Sequence, residues 1–231
     1  MDPIVMSAPK KGRFYYEKRG EVLWEVPTED KVIALTFDDG PDAVNTAPIL
    51  DLLKKYEAKA TFFLVGNKVE RNPELVKKEL AQGHELANHT YSHSYLGNKT
   101  TAEKMKKDIL QAEKVIFSVT GQKCRFFRPP GGFINERLVN TAVQEGYTVV
   151  MWSWHQDSRD WSTPGVNKIV DSVLTHTQKG DIVLFHEYVE GKTQTIAALE
   201  KILPELKKRG YRFVTISELL TYRKTKDVTL P

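Results

Sequence analysis

The sequence predicts an α/β fold, a distorted, closed or partly open (β/α) barrel of about seven strands. Three observations predict it. From residue 31 onward, short apolar runs alternate with amphipathic segments of helical period. The runs are continuously apolar, as in strands covered on both faces, rather than apolar at every second position. The polar exceptions stand where the runs end, which is where barrels carry their reactive groups. A doubly wound sheet is the alternative, because chain length alone does not establish closure.

The elements follow in order. Residues 32–37 form the first strand, and 48–56 belong to the helix after it, which begins near Asn45. "ATFFLV" at 60–65 is the next strand. Residues 73–82 form a short helix with Pro73 at its start, where a missing N–H is harmless. Residues 85–88 are a short strand. The segment 102–119 repeats Met105, Ile109, Ala112 and Ile116 on one side and predicts a long amphipathic helix. An extended piece at 125–128, a helix at 135–144, a strand at 147–152 and a helix at 166–175 come next. A strongly apolar strand at 181–185 follows a Lys-Gly turn. Residues 193–208 predict a helix in which Pro204 is a kink or a local exception. A strand at 211–214 and a short helix from Ser217 close the pattern. Residues 1–30 read as an irregular or extended lead-in whose Phe14, Tyr15 and Tyr16 lie against the larger body. Residues 31–220 form the main domain, and 221–231 a tail.

The chain has 231 residues, of which 40% are hydrophobic and 28% charged. This suits one soluble domain with a sizeable core. The net charge of +4, from 34 Lys plus Arg against 30 Asp plus Glu, is dispersed along helix faces. A nucleic-acid partner needs a concentrated basic face, and none is visible. Mild attraction to an anionic polymer, such as a cell wall, stays open. Cys124 is the single cysteine, so there is no intramolecular disulfide, and nothing around it marks a nucleophile. No apolar run is long enough for a membrane span. Residues 1–9 lack the apolar core of a signal peptide. A cytoplasmic start and a removed targeting segment both fit that beginning.

Five strand-end groups carry the chemistry. Asp38 and Asp39 end the first strand in "TFDDG". His89 and His93 follow "HELAN" as "HTYSH". Arg128 opens "RPPGG". Asp157 and Asp160 lie in "DSRDW", and His186 ends "LFH". On a helical turn, histidines four apart face one point. Two imidazoles with one carboxylate leave room for water on a zinc ion, and the same set suits non-haem iron. Zinc needs no redox partner, so hydrolysis is the simpler reading. Each motif also has a plain structural reading: a stiff Pro-Gly turn, a polar loop under a tryptophan, a strand ending in a satisfied histidine. His84 reads as a structural histidine in a turn. His155 and His176 have no clear partner, although His155 lies near "DSRDW".

The five motifs, in this order, resemble those of the polysaccharide deacetylase family, the NodB-homology or carbohydrate esterase family 4 domain. The resemblance covers roughly residues 31–220 and makes that span the catalytic domain. It implies one divalent metal, most often zinc, with cobalt or another divalent ion as alternatives. By resemblance Asp39, His89 and His93 are the metal ligands. Asp38 is the catalytic base and His186 the acid. Arg128 orients the base, and Asp160 orients the histidine. Trp161 and Leu184 line the acetyl pocket. At Gly131 many members carry an aromatic residue; here only the backbone N–H is available to an oxyanion hole.

The implied reaction is hydrolytic removal of N-acetyl groups from N-acetylglucosamine-containing polymers or oligosaccharides. Peptidoglycan is favoured and chitin comes next, and the resemblance places the protein outside the cell or at the wall. Tyr91, Trp152 and Trp154 are further sugar-contact candidates. An O-acetyl xylan esterase and a non-catalytic carbohydrate-binding protein are the alternatives.

Overall fold

The computed structural model describes residues 11–191 and 193–224. Part of the expected lead-in and most of the expected tail therefore lie outside the described residues. The fold is α/β, with an eight-stranded parallel sheet in the order β1-β6-β5-β4-β3-β2-β7 and β8 paired to β2. The strands are β1 (Val22–Leu23), β2 (Val32–Gly40), β3 (Ala60–Leu64), β4 (Glu85–Asn88), β5 (Phe126–Phe127), β6 (Thr148–Val150), β7 (Ile182–His186) and β8 (Arg212–Phe213). This arrangement is consistent with a distorted (β/α) barrel.

The parity of β2 explains its role. Side chains alternate between the two faces of a strand. Ile33, Leu35 and Phe37 pack into the outer core with Ile49, Leu50 and Leu53 of α2 (Thr46–Lys55) and with Leu199, Ile202 and Leu203 of α8 (Thr195–Lys208). Val32 and Ala34 face the other way, into a cluster with Phe63, Ala87, Phe126, Val150 and Ile182. Thr36 and Asp38 continue that inner row. In β7, Ile182 lies in the inner cluster and Val183 and Phe185 in the outer one. By the same alternation Leu184 and His186 follow Ile182 inward. Each such Leu, Ile or Phe contributes about 1.5–3 kcal/mol by leaving water.

The longer helices follow their sequence patterns. α5 (Ala102–Thr120) buries Met105, Ile109, Ala112 and Ile116, the four residues of its repeat. Thr101 caps its start by accepting from the Lys104 N–H, and Gly121 ends it in a left-handed conformation (φ 69°). α6 (Glu136–Gln144) starts at an Asn135 cap, and α7 (Val166–His176) buries Ile169 and Val173. α8 runs through Pro204 without interruption.

Three segments differ from expectation. α1 (Arg13–Lys18) is helical and β1 joins the edge of the sheet, where an irregular or extended lead-in was expected. α3 (Gly66–Arg71) precedes α4 (Pro73–Ala81) and was not foreseen, because "GNKVER" offers one apolar residue and hence no period. Its first amides donate to the next strand-end loop: Gly66 N to Thr90 O at 2.9 Å and Asn67 N to Tyr91 O at 3.0 Å. Only glycine fits at 66, since a Cβ there would stand 2.8 Å from the Tyr91 ring and 3.0 Å from Ala112 Cα. Third, the chain after β6 leaves regular strand structure at once but runs beside β7. Ser153 N donates to Ile182 O (3.0 Å), Leu184 N to Gln156 O (3.0 Å) and Ser158 N to Leu184 O (3.3 Å). This brings "DSRDW" against β7. α9 (Ile216–Thr221) is the last described helix, and no described helix is long and apolar enough to cross a membrane.

Candidate metal and active site

The inner parity of β2 delivers Asp38, which is 4% exposed, to the end of the sheet. Ordinary alternation would then turn Asp39 away. Instead the pairing of β2 with β3 shifts register between Asp38 and Gly40, and Asp39 takes a left-handed conformation (φ 69°). A bulge of this kind re-aims one side chain, and here it lets two consecutive acids serve one site. Gly40 keeps the space beside them open: a Cβ there would fall 1.5 Å from Glu187 Oε1, so any larger residue makes that side chain move.

The histidines are held differently from expectation. "HTYSH" is a loop after β4 and not a helical turn. Thr90 (φ 68°) and His93 (φ 55°) are left-handed, a conformation that breaks any helix. Local hydrogen bonds stabilise it: Thr90 N donates to Asn88 Oδ1 (2.9 Å), and His93 N to Thr90 Oγ1 (3.0 Å). The imidazoles still converge, with ring centroids 5.1 Å apart.

Asp39, His89 and His93 each offer one donor atom, all within 4.8 Å of one another, and could hold a divalent metal ion. The hydrogen-bond chemistry fits a cation. His89 Nδ1 lies 2.7 Å from the Arg128 carbonyl oxygen, which can only accept, so the proton of a neutral ring sits on Nδ1. The Nε2 lone pair is then directed toward Asp39 Oδ1 at 3.3 Å. Asp39 Oδ1 is itself buried without a hydrogen-bond partner, although His93 Nε2 is 2.8 Å away. A lone pair facing a carboxylate oxygen is unfavourable unless a positive charge stands between them. Burial alone would raise the Asp39 carboxyl, but rings that present protons and positive charge to it more than offset burial and hold it far below the usual carboxylate range, so this point favours a cation either way.

Asp38 and Arg128 form a buried ion pair. Arg128 is fully buried, and its Nη1 donates to Asp38 Oδ1 at 2.7 Å and to Thr36 Oγ1 at 2.9 Å. Its Nε and Nη2 donate to the carbonyls of Val150 (3.0 Å) and Met151 (2.8 Å). The guanidinium also stacks over the Phe63 ring at 4.0 Å. Every face of this buried charge is therefore satisfied. The Asp38 oxygen it leaves free, Oδ2, lies 3.7 Å from His89 Nε2.

On the other side His186 Nδ1 pairs with Asp160 Oδ1 at 2.7 Å. Asp160 also accepts from His186 N (2.8 Å) and Thr195 Oγ1 (2.7 Å) through Oδ2. Burial would lower the His186 pKa, but the Asp160 carboxylate raises it to about 9.

The expected site residues thus gather at one end of the sheet, with differing positions. Trp161 is 56% exposed at the rim, and its Nε1 approaches Asp157 Oδ1 at 3.4 Å. Leu184 is buried on β7, with Thr36 beside it in the register of β2. Gly131 is left-handed (φ 67°), and a Cβ built on it would lie 3.6 Å from the Tyr95 ring. Tyr95 in turn packs on Phe133, with ring centroids 5.2 Å apart. Other candidates lie elsewhere. His84 Nδ1 accepts from Ala60 N (3.2 Å), and burial, helped by Lys59, lowers its pKa to about 4, as suits a structural histidine. His155 pairs with Asp181 at 3.1 Å, and with Trp154 and His176 it lines a separate cleft. Trp152, unlike these, stays beside the site, packed against the core with the Arg128 guanidinium 5.8 Å from its ring and Gly132 against its edge, and the Tyr91 hydroxyl donates to Glu70. Burial pushes the Cys124 thiol well up, against any nucleophilic use.

Three participants were missed. Thr36 and Thr195 brace Arg128 and Asp160; strand parity would have found Thr36. Lys68 donates to the Asp39 carbonyl at 2.7 Å from the unforeseen α3, and no sequence pattern marks it.

Sequence and fold are similar to those of known proteins. A family model described as polysaccharide deacetylase matches residues 25–150. A peptidoglycan-N-acetylglucosamine deacetylase of Bacillus cereus is 54% identical over 207 residues, covering 90% of this chain and 96% of that one. A crystal structure of a peptidoglycan N-acetylglucosamine deacetylase superposes with a TM-score of 0.85 at 34% identity, covering 92% of this chain and 100% of the other. A family 4 acetyl xylan esterase from Clostridium thermocellum, solved with a cobalt ion, gives 0.77 at 36% identity, covering 83% and 91%. Fold, match and identity together place this chain in the polysaccharide deacetylase family.

Proposed function

We propose that the protein is a metal-dependent hydrolase that removes N-acetyl groups from N-acetylglucosamine-containing polysaccharide, with peptidoglycan favoured over chitin. The observation that carries this reading is the convergence of Asp39, His89 and His93 with Asp38 on one flank and His186 in register with Asp38 on the next strand. The preference for peptidoglycan draws support from the relatives named above, two of which carry that substrate in their names.

Asp39, His89 and His93 would hold the ion, with zinc favoured by two nitrogens and one oxygen and cobalt as the alternative. A divalent ion there supplies polarisation of the amide carbonyl and makes water easier to deprotonate. Asp38 Oδ2 accepts a proton from the attacking water, while Arg128 fixes Oδ1 and so aims the carboxylate. The water oxygen bonds to the acetyl carbon. The Gly131 N–H is a candidate donor to the oxygen that becomes negative. His186, held by Asp160, gives its Nε2 proton to the amine nitrogen as the C–N bond breaks. Acetate and a free amino sugar result. Trp161 and Leu184 shelter the methyl group.

On this reading residues 31–220 are the catalytic domain, folded as a distorted barrel whose seam is the pairing of 153–158 with β7. Work at the wall or outside the cell follows from such a substrate. O-deacetylation is the second reading, supported by the structural likeness to an acetyl xylan esterase. The test is acetate release by the zinc- or cobalt-loaded protein from peptidoglycan, chitooligosaccharides and acetylated xylan, with products identified by mass. Free amines on glucosamine are expected. Release from xylan alone selects the second reading, and no release from any substrate overturns both.

A further inference from the structure

Beside the candidate metal ligands lies a pocket of about 380 Å³, floored by Asp39 and His93 and walled by Asn67, Lys68, Arg71, Trp161 and Tyr188. Two of its walls are cations from consecutive turns of α3. Lys68 Nζ is fixed there: it donates to the Asp39 carbonyl and sits 3.9 Å above the Tyr188 ring. Arg71 is braced by its own helix, with Nε on Asn67 O (2.9 Å) and Nη2 on Asn67 Oδ1 (3.0 Å). Among the described residues no carboxylate lies within 4.0 Å of either cation. Glu190 is the acid that lines the pocket besides Asp39, whose charge is committed to the metal site, and Asp42 and Glu187 act on Lys68 from outside it.

Lysines and arginines that meet no acid while being held in place are common on open surfaces. These two differ in sharing one concavity with the reacting centre. Their ammonium and guanidinium suit an anion, and the preformed Arg71 fork suits a carboxylate in particular. Asp39 and His93 floor the same pocket, so an anion held by Lys68 and Arg71 stands next to the reacting acetyl group, on a neighbouring unit of the polymer. Peptidoglycan carries a lactyl group on every second sugar, amide-bonded to the stem peptide and free as a carboxylate where that peptide has been removed; chitin carries no acid.

We propose that Lys68 and Arg71 form a carboxylate subsite that binds the acidic sugar adjoining the deacetylated one. The subsite makes the protein prefer an anionic glycan strand over a neutral strand of the same length. Exposed Tyr188 on its wall supplies apolar surface for the sugar that presents the acid, while Trp161 covers the acetyl side. This rests on the amino-sugar deacetylase reading and adds a determinant of which polymer is chosen.

The probe is a peptidoglycan glycan strand without peptides, compared with the same strand after its lactyl carboxyls have been reduced to alcohols. For the wild-type protein loaded with zinc, reduction is expected to raise KM about five- to tenfold, as loss of a charge-assisted contact does. Arg71→Gln should narrow that ratio, and Lys68→Gln with Arg71→Gln should bring it to about one. Added salt should narrow it as well. Equal KM values for both strands in the wild type, or a double variant that keeps the wild-type ratio, overturn the subsite. Calorimetric binding of the deacetylated product strands, acid against alcohol, reads the same preference without turnover. Failure of acetate release from every strand therefore counts against the hydrolase reading, whereas loss of the acid preference in binding counts against the subsite alone.

Discussion

Asp38 and His186 face each other as register partners on neighbouring parallel strands, and the amide after His186 donates to the Asp38 carbonyl at 2.9 Å. Each has its own buried counter-ion: Arg128 for the acid and Asp160 for the imidazole. The two charge pairs thus stand on one rigid pair of strands with their free edges turned to the same space.

Replacing Asp38 with Asn separates base from ligand. Arg128 keeps an oxygen to bond, and Asp39, His89 and His93 are untouched. Metal content, measured by elemental analysis, should stay near one per chain, while acetate release falls about 10²- to 10⁴-fold. Loss of metal would make Asp38 a ligand.

His186 gives a pH signature. Its pKa, about 9 in the folded protein, lies above the ordinary 6.5. The charged form is therefore favoured by folding. Its contribution to stability is fully present below about 6.5 and is lost as pH rises through about 9. The alkaline limb of activity, set by loss of the same proton, should fall near that upper value. Asp160→Asn removes the largest of the raising causes, leaving the smaller ones from Asp38 and Asp39, so the limb should move toward neutral pH. A pH–rate profile of both proteins checks this, and an unmoved limb would deny His186 the role of acid.

Metal removal should spare the fold. The sheet and its three hydrophobic clusters do not depend on the ion. Chelation should abolish acetate release and lower Tm by an amount that grows with the metal concentration of the reference sample. His89→Ala should weaken metal binding, whereas His186→Ala should leave it intact. Circular dichroism with metal titration distinguishes these outcomes.

Gly40→Ala should be destabilising by about 1–3 kcal/mol, since the Glu187 carboxyl must move off the new Cβ and disturb its buried bond from Thr46. Shortening the clashing side chain, as in Gly40→Ala with Glu187→Ala, should recover part of the loss. Denaturant unfolding of the single and double variants reads the coupling directly.

Much of this molecule was legible because its signals are periodic. The four-residue ladder of α5 and the continuous apolar runs of β2, β3 and β7 each follow from which faces are covered. The gathered acids and histidines were legible as strand-end polar groups, and their roles came from the resemblance. What was not legible is aperiodic. α3 has one apolar residue, and the left-handed residues Asp39, Thr90 and His93 are not glycines, so nothing in the letters announces their backbone. The histidines were expected on a helical turn because spacing alone was used; a loop pinned by Asn88 and Thr90 reaches the same convergence. The shortness of β6 was hidden because "MWSW" reads as apolar even where the chain has left the strand.

The bulge at Asp39 has a mechanical outcome. Asp38 and Asp39 are joined by a single peptide bond within the central strand, so thermal displacement of that strand carries both carboxylates as one body. The distance between them is nearly invariant to breathing of the surrounding helices. His89 is held to the sheet by its amide on Leu64 O and its ring on Arg128 O, whereas the half-exposed His93 rides on a loop that meets α3 and has more freedom relative to that body. Slow changes in loop geometry would therefore alter how tightly an ion is gripped while leaving the alignment of the base almost unchanged. Affinity for the ion and placement of the base are thereby uncoupled by two elements of unequal stiffness, and substitutions around residues 90–92 are free to tune the first without disturbing the second.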